Sequence, residues 1–315
     1  GVKGMRVLVT GGAGFIGANL IRKLLSQGNE VICIDNFASG LEENIKELFN
    51  NNRFFLIVGN IVDKALFDKI GRVDQIYNLA CLASPKYYQK QPIETLRTCF
   101  EGVLNVLEYA RKYNVRILQT STSEVYGNPL VSIQSEKYYG NVNPNGVRGC
   151  YDEGKRVAET LCCDYLRMYD IDIKIARIFN TYGPYMRPDD GRVISNFVNA
   201  VLRDESIKIY GDGKQTRSMC YVTDMVDGLI LLMNSNVHGP VNLGNPEELT
   251  INEVVSIVMS HMNKIVPVKH VQCLEDDPQK RCPDISLAKK ELSWQPLISF
   301  DVGITKTIEY YKSLK

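Results

Sequence analysis

Short β-branched apolar runs alternate with longer amphipathic runs through the first half of the chain. The short runs predict strands at 6–10, 30–34, 53–58, 75–79, 116–120 and 172–178. The longer ones predict helices at 19–27, 93–113 and 152–169. Alternation at this spacing implies βαβ units, and hence an α/β chain with a doubly wound parallel sheet under helices on both faces. The rhythm breaks after Asn180. "NTYGPYMRPDDG" reads as a loop, and helices follow at 191–204, 223–234 and 249–262. The last two open at capping-type threonines near an acidic residue. The division expected is 5–180 for the sheet domain and 181–315 for a smaller mixed α/β lobe, with a segment near 215–245 returning to the sheet.

Bulk composition narrows the function. A length of 315 residues suits about two domains. Hydrophobic residues at 44% and charged residues at 23% are ordinary for a globular chain. A net charge of +1 provides no field to attract nucleic acid or an anionic membrane, so neither is an expected partner, and an anionic ligand must be met by local arginines. The 9 cysteines are scattered without a C-x-x-C pair, and only 3 histidines accompany them. Neither a disulfide framework nor a metal site is therefore expected, and reduced thiols in a cytoplasmic setting are. No run of about 18 apolar residues is present to span a bilayer. Gly1–Gly4 precede Met5, where the strand pattern opens at once. They read as an artificial leader before a native start at Met5, or as the cut edge of a longer chain with an N-terminal anchor or signal.

"VLVTGGAGFIGANL" spaces Gly11, Gly14 and Gly17 as G-x-x-G-x-x-G, between a predicted strand and a predicted helix. That context gives the spacing meaning. One glycine makes the turn, the next admits a pyrophosphate to the backbone amides, and the third lets helix and strand touch. Asp35 ends the next strand, "EVICID", where a carboxylate suits a free ribose 2′-hydroxyl and repels a 2′-phosphate. A Rossmann-type NAD site is therefore expected, with Asn36 and Phe37 framing the adenosine.

"TSTSEVYG" places Thr122, Ser123 and Glu124 at the end of a strand. "YDEGKRVAE" places Tyr151 and Lys155 one helical turn apart on one face. A phenol is a poor base at neutral pH unless positive charge favours its phenolate. Lys155 and a nicotinamide provide that charge, so Tyr151 becomes a base toward a hydroxyl, with Thr122 holding the same oxygen.

The glycine spacing and the Tyr–Lys pair resemble the short-chain dehydrogenase/reductase superfamily. "TSTSEVYG", "CYDEGKRVAET", "ARIFNTYGP", "DDGRVISNF", "GKQTRSMCYV", "VNLGNPEE" and "DDPQKRCPDI" together resemble the UDP-glucuronate decarboxylases, or UDP-xylose synthases, from Met5 onward. The resemblance implies a carboxy-lyase that retains NAD. C4 of UDP-glucuronate is oxidised, the β-keto acid loses CO₂, C5 is reprotonated, and C4 is reduced to give UDP-xylose. Catalytic roles fall on Thr122, Glu124, Tyr151, Lys155 and Arg281. NAD contacts fall on Gly11, Gly14, Phe15, Ile16, Gly17, Asp35, Asn36, Phe37, Asn60, Ile61, Leu79, Thr98, Tyr151 and Lys155. The second lobe then binds the UDP-sugar, and substrate contacts from both parts of the chain fall on Tyr87, Arg97, Ser123, Asn180, Arg192, Val193, Tyr210, Gln215, Arg217 and Arg281. Arginine forks suit the diphosphate oxygens.

Position 123 separates sister chemistries. Related 4,6-dehydratases carry Thr-Asp-Glu, with the aspartate as acid for water loss; Ser123 stands there instead. The 4-epimerases usually lack the equivalent of Glu124. A UDP-glucuronate or UDP-glucose 4-epimerase is the alternative enzyme, and a silent nucleotide-sugar sensor the alternative outside catalysis. The chain departs from the family pattern at Asn60, Leu82 and Cys99, where aspartate, proline and asparagine are usual. Apolar positions on more than one face of 93–113 and 152–169, Leu161, Cys162 and Leu166 among them, imply a homodimer through a four-helix bundle.

Overall fold

The computed structural model describes residues 4–273 and 280–314. Residues 1–3 and the first four residues of "DDPQKRCPDI" lie outside the described residues, whereas Arg281 lies within them.

A seven-stranded, wholly parallel sheet forms the first layer system. Its strands are β1 (Arg6–Thr10), β2 (Glu30–Asp35), β3 (Phe54–Val58), β4 (Gln75–Asn78), β5 (Arg116–Thr122), β6 (Ile173–Ile178) and β7 (Val241–Leu243). In space they run β7-β6-β5-β4-β1-β2-β3. The chain leaves β1 toward β3 and comes back to β4 on β1's other side. The carboxyl ends of β1 and β4 therefore splay loops in opposite directions and open a crevice. Alternate residues face opposite layers: Val7 and Val9 join one apolar cluster and Leu8 the other. Burial on both faces explains why these strands read as unbroken apolar runs.

Helices α1 (Phe15–Ser26), α3 (Gly149–Met168) and α5 (Val222–Met233) pack on the sheet. Between β4 and β5 runs α2, as Pro92–Arg97, a π-turn at Thr98–Gly102, and Val103–Tyr113. In the lobe, α4 (Val193–Leu202), α6 (Ile251–Met262) and α7 (Phe300–Ser313) pack on one another. Two short ladders flank them, Ile207–Tyr210 with Val268–Val271 and Thr216–Ser218 with Glu248–Thr250. The apolar cluster on the Val7–Val9 face continues without a break into Val198, Val254 and Ile304 of the lobe. That continuity fixes the lobe over the carboxyl edge of the sheet.

Element existence follows the hydrophobic pattern, and the ends differ. Helix α1 starts at Phe15, not near 19, because Gly14 is its N-cap. Thr250 caps α6 in a full capping box with Glu253, whereas the N-cap position of α5 is Tyr221, without a side-chain cap, and not Thr223. Strand β5 runs on to Thr122, which carries the hydroxyls past the end of β4 while they stay paired with β6.

Candidate active site

A cavity of about 810 Å³ lies along the crevice and beneath the lobe. Its floor at one end is the glycine turn. Gly11 has φ +70°, and a Cβ there would meet the Leu79 carbonyl at 2.9 Å. A Cβ on Gly17 would meet the Gly11 carbonyl oxygen at 2.4 Å, so α1 and β1 touch through bare backbone. Gly12 packs equally closely, on Cys33 and Ile21, although it stands outside the predicted spacing. The exposed amides at the start of α1 and the missing side chains form a cradle that fits a dinucleotide pyrophosphate.

Asp35 closes β2 on the cavity wall and is buried. Its carboxylate accepts from the N–H of Ala13 at 2.9 Å and of Phe37 at 2.7 Å. Burial raises its carboxyl above the usual range, against the pull of those amides. Phe15, Ile16, Asn36, Asn60, Ile61, Leu79 and Thr98 also line this end. The Asn60 side-chain oxygen is engaged by the Val62 N–H at 3.0 Å.

Two expected contacts do not line the cavity. Phe37 is not on the cavity wall: its backbone is left-handed, φ +58°, and its ring packs on the apolar core. Arg97 points away from the cavity, its guanidinium forked between Glu94 and Glu101 on the outer face of α2. Helical spacing alone creates that surface triad.

The reacting end is built by β5 and the first turn of α3. Thr122 ends β5 and caps a 3₁₀ turn over Ser123–Tyr126, its hydroxyl accepting from the Glu124 N–H at 3.2 Å. Helix α3 starts three residues before the predicted point, at Gly149, which puts Tyr151 in its first turn. The Tyr151 hydroxyl hydrogen-bonds Thr122. The ring stacks flat on Tyr88, centroids 4.8 Å apart and planes 3° apart. Lys155 donates to the Thr120 carbonyl at 3.1 Å, and its Nζ lies 5.8 Å from the Tyr151 ring. In this protein-only environment burial pushes the Tyr151 phenol well above its ordinary value, with Cys81 and Glu124 adding. Lys155 by itself does not outweigh that burial, and the expectation joined a nicotinamide's positive charge to it. Cys81 and Cys99 sit with sulfurs 3.6 Å apart beside the pair. Chiefly through that hydrogen bond, and with help from Lys155, Cys81 is lowered to about 7.

Glu124 is clamped by two guanidinium groups, accepting from Arg148 at 3.1 Å and from Arg281 at 3.3 Å. Arg281 is 4% exposed and also donates to the Gly127 carbonyl. Burial would raise the Glu124 carboxyl, but Arg281 and then Arg148 outweigh it and hold it below its usual range. Arg148 was not foreseen: it precedes the helix in "NGVRGC", where no periodicity marks it. Tyr87, Ser123 and Asn180 line the cavity from the sheet domain, and Arg192, Val193, Tyr210, Gln215 and Arg217 line it from the lobe. Arg192 is held by Asp190 at 2.6 Å, which fixes its direction.

Glycine cradle, Tyr–Lys pair and a lobe lined with arginines define an extended short-chain dehydrogenase/reductase shaped for a nucleotide sugar. The family described as GDP-mannose 4,6-dehydratase matches over residues 8–307. UDP-glucuronic acid decarboxylase 1 of Arabidopsis thaliana is 50% identical over 313 residues, covering 99% of this chain and 71% of that one. UDP-glucuronic acid decarboxylase 1 of Xenopus tropicalis is 46% identical over 307 residues, covering 98% of this chain and 72% of that one. The solved UDP-glucuronic acid 4-epimerase of Bacillus cereus, in complex with UDP-glucuronic acid and NAD, superposes with a TM-score of 0.89. It is 27% identical, with 99% of this chain and 100% of that chain covered. The chain belongs to the UDP-glucuronic acid decarboxylase family.

Proposed function

We propose that this protein is an NAD-dependent UDP-glucuronate decarboxylase that yields UDP-xylose. The observation that carries the reading is the buried Glu124–Arg281–Arg148 cluster beside Thr122 and Tyr151. Acid–base groups for oxidising a hydroxyl thus stand next to a charged cluster able to handle a carboxylate.

Bound NAD supplies the acceptor and later the donor of the C4 hydride, and its positive ring favours the Tyr151 phenolate. Tyr151 takes the C4 hydroxyl proton while Thr122 holds the oxygen; Lys155, tied to the Thr120 carbonyl, orients the ribose. Once C4 is a ketone, the carboxylate is β to a carbonyl and its loss leaves an enolate. The electron pair is delocalised within the sugar itself. Glu124, kept ionised, discourages the carboxylate from lingering and orders Arg281 and the water near C5. Arg192 and Arg217 meet the diphosphate, and Asn180 and Gln215 the uridine side. The Ser123 hydroxyl is too weak an acid to protonate a leaving hydroxide, which disfavours dehydration.

Partner and location extend the reading. Ile93, Leu96 and Phe100 form an apolar stripe on α2, with Ile93 71% and Phe100 48% exposed, and Val157 of α3 continues it. This stripe supports a homodimer through the α2 and α3 helices of two copies. Nine unpaired thiols support a reducing compartment such as the cytoplasm. No helix among the described residues is long and apolar enough to cross a membrane.

Mass spectrometry of purified protein incubated with UDP-glucuronate tests the function. UDP-xylose with one CO₂ per turnover is expected. UDP-galacturonate would make it a 4-epimerase, and no turnover would leave a binding protein.

A further inference from the structure

Glu124 lies between two cavities. One is the nucleotide cavity; the other, of about 180 Å³, lies behind the carboxylate and is shared with Arg148, Arg281 and Asp152. Its outer rim is formed by the exposed residues Asn128, Asn141 and Asn143, so it reaches solvent there. Asp152 follows Tyr151 in the first turn of α3 and is only 6% exposed. Its Oδ1 is buried without a hydrogen-bond partner, an expensive state for an ionised carboxylate. Burial first, and Glu124 second, raise this carboxyl to about 7, against the pull of Arg148 and Arg281. Glu153 adds to the rise, and Tyr88 and Cys150 are the other titratable groups near it.

The reaction proposed above has an unmet proton balance. The C4 hydroxyl proton and the hydride both leave and both return. The carboxylate departs as CO₂ without a proton, and C5 gains one. Each turnover therefore draws one proton from solvent, at a moment when cofactor and nucleotide sugar fill the front cavity. Glu124 is a poor source, because its arginines hold it ionised.

We propose that the rear cavity is the proton entry of the decarboxylation, with Asp152 as the acid that recharges a water held by the ionised Glu124. The Asp152 O–H bond breaks as C5–H forms through that relay. The enolate electron pair makes the new bond while C4–O⁻ becomes C4=O. Solvent water then reprotonates Asp152 through the asparagine rim. Asp152 thus acts through that water and is a positioning and relay residue, not a group in contact with the sugar.

The inference rests on the decarboxylase reading, and the test separates the two. Wild type, Asp152→Asn, Asp152→Glu and the cavity-filling Val142→Phe are assayed with UDP-glucuronate from pH 5.5 to 9 in H₂O and D₂O. Asp152→Asn is expected to lose at least about tenfold in kcat, with KM within about twofold. Its pH profile loses the limb near neutrality and its solvent isotope effect rises. Asp152→Glu restores most of the rate, and Val142→Phe reproduces the isotope effect with the acid intact. If Asp152→Asn loses UDP affinity through misfolding, the Val142→Phe arm decides alone. A wild type that makes UDP-xylose beside variants with unchanged kcat, pH profile and isotope effect overturns this inference only. A wild type that releases no CO₂ overturns the functional reading beneath it.

Discussion

At the scale of single residues, each group's chemistry is set by what it faces. Tyr151→Phe keeps the stack on Tyr88 but removes the proton acceptor. Turnover should fall at least about 100-fold while UDP binding by calorimetry stays within a few-fold; normal turnover would remove Tyr151 from the mechanism. Glu124→Gln leaves Arg148 and Arg281 facing a neutral amide. CO₂ release should then fall much further than nucleotide affinity, and an equal loss of both would contradict the role given to Glu124. Asp152 carries a pH prediction. Its carboxyl is raised to about 7 in the folded protein, against about 3.9 in an unfolded chain. Between those values the folded protein holds a proton that the unfolded chain has released. The group's stabilising share is therefore complete below about pH 4 and falls as pH rises through 7. Asp152→Asn should flatten that fall, gaining on the order of 4 kcal/mol relative to wild type at pH 8 but only about 1.5 kcal/mol at pH 5. Thermal melts at the two pH values read it directly.

At the scale of elements, the site is made by where strands and helices end. The glycine turn works because α1 presses on β1 without side chains between them. Gly17→Ala drives a Cβ into the Gly11 carbonyl and the Gly12 backbone, neither of which can rotate away. A loss of about 1–3 kcal/mol in stability, with weaker NAD binding, is expected; an unchanged melt and unchanged NAD titration would show that the turn relaxes. Beneath the catalytic turn, Arg177 of β6 forks onto Glu159 of α3 at 2.8 and 3.1 Å, and Ser121 of β5 donates to the same carboxylate. This buried network ties the three elements that hold Thr122 and Tyr151. Helix and strand types were legible from period and β-branching. The ends of β5 and α3 were not, because a strand ending in hydroxyls and a helix opening at "RGC" carry no local stop or start signal.

At the scale of the whole molecule, one apolar cluster joins sheet and lobe, and the active cavity lies along their seam. The exposed stripe of Ile93, Leu96 and Phe100 leaves α2 ready for a second copy. Phe100→Glu should halve the mass seen by light scattering without lowering the melting temperature of the monomer's own core. An unchanged mass would place the dimer elsewhere or exclude it.

The sequence by itself determined the strand order's raw material, the glycine cradle, and the Tyr151–Lys155 and Thr122–Glu124 sets. These are local: steric need within a turn, or one helical repeat, is written in adjacent letters. Only the tertiary structure decided that Arg281, 157 positions from Glu124, closes on it, and that Arg148 joins from a loop without pattern. It also took Arg97 and Phe37 off the cavity, and gave Asp152 its burial. The physical reason is shared by all of these. Charge, desolvation and proton affinity depend on what surrounds a group in three dimensions, and the chain's linear neighbours supply little of that surrounding.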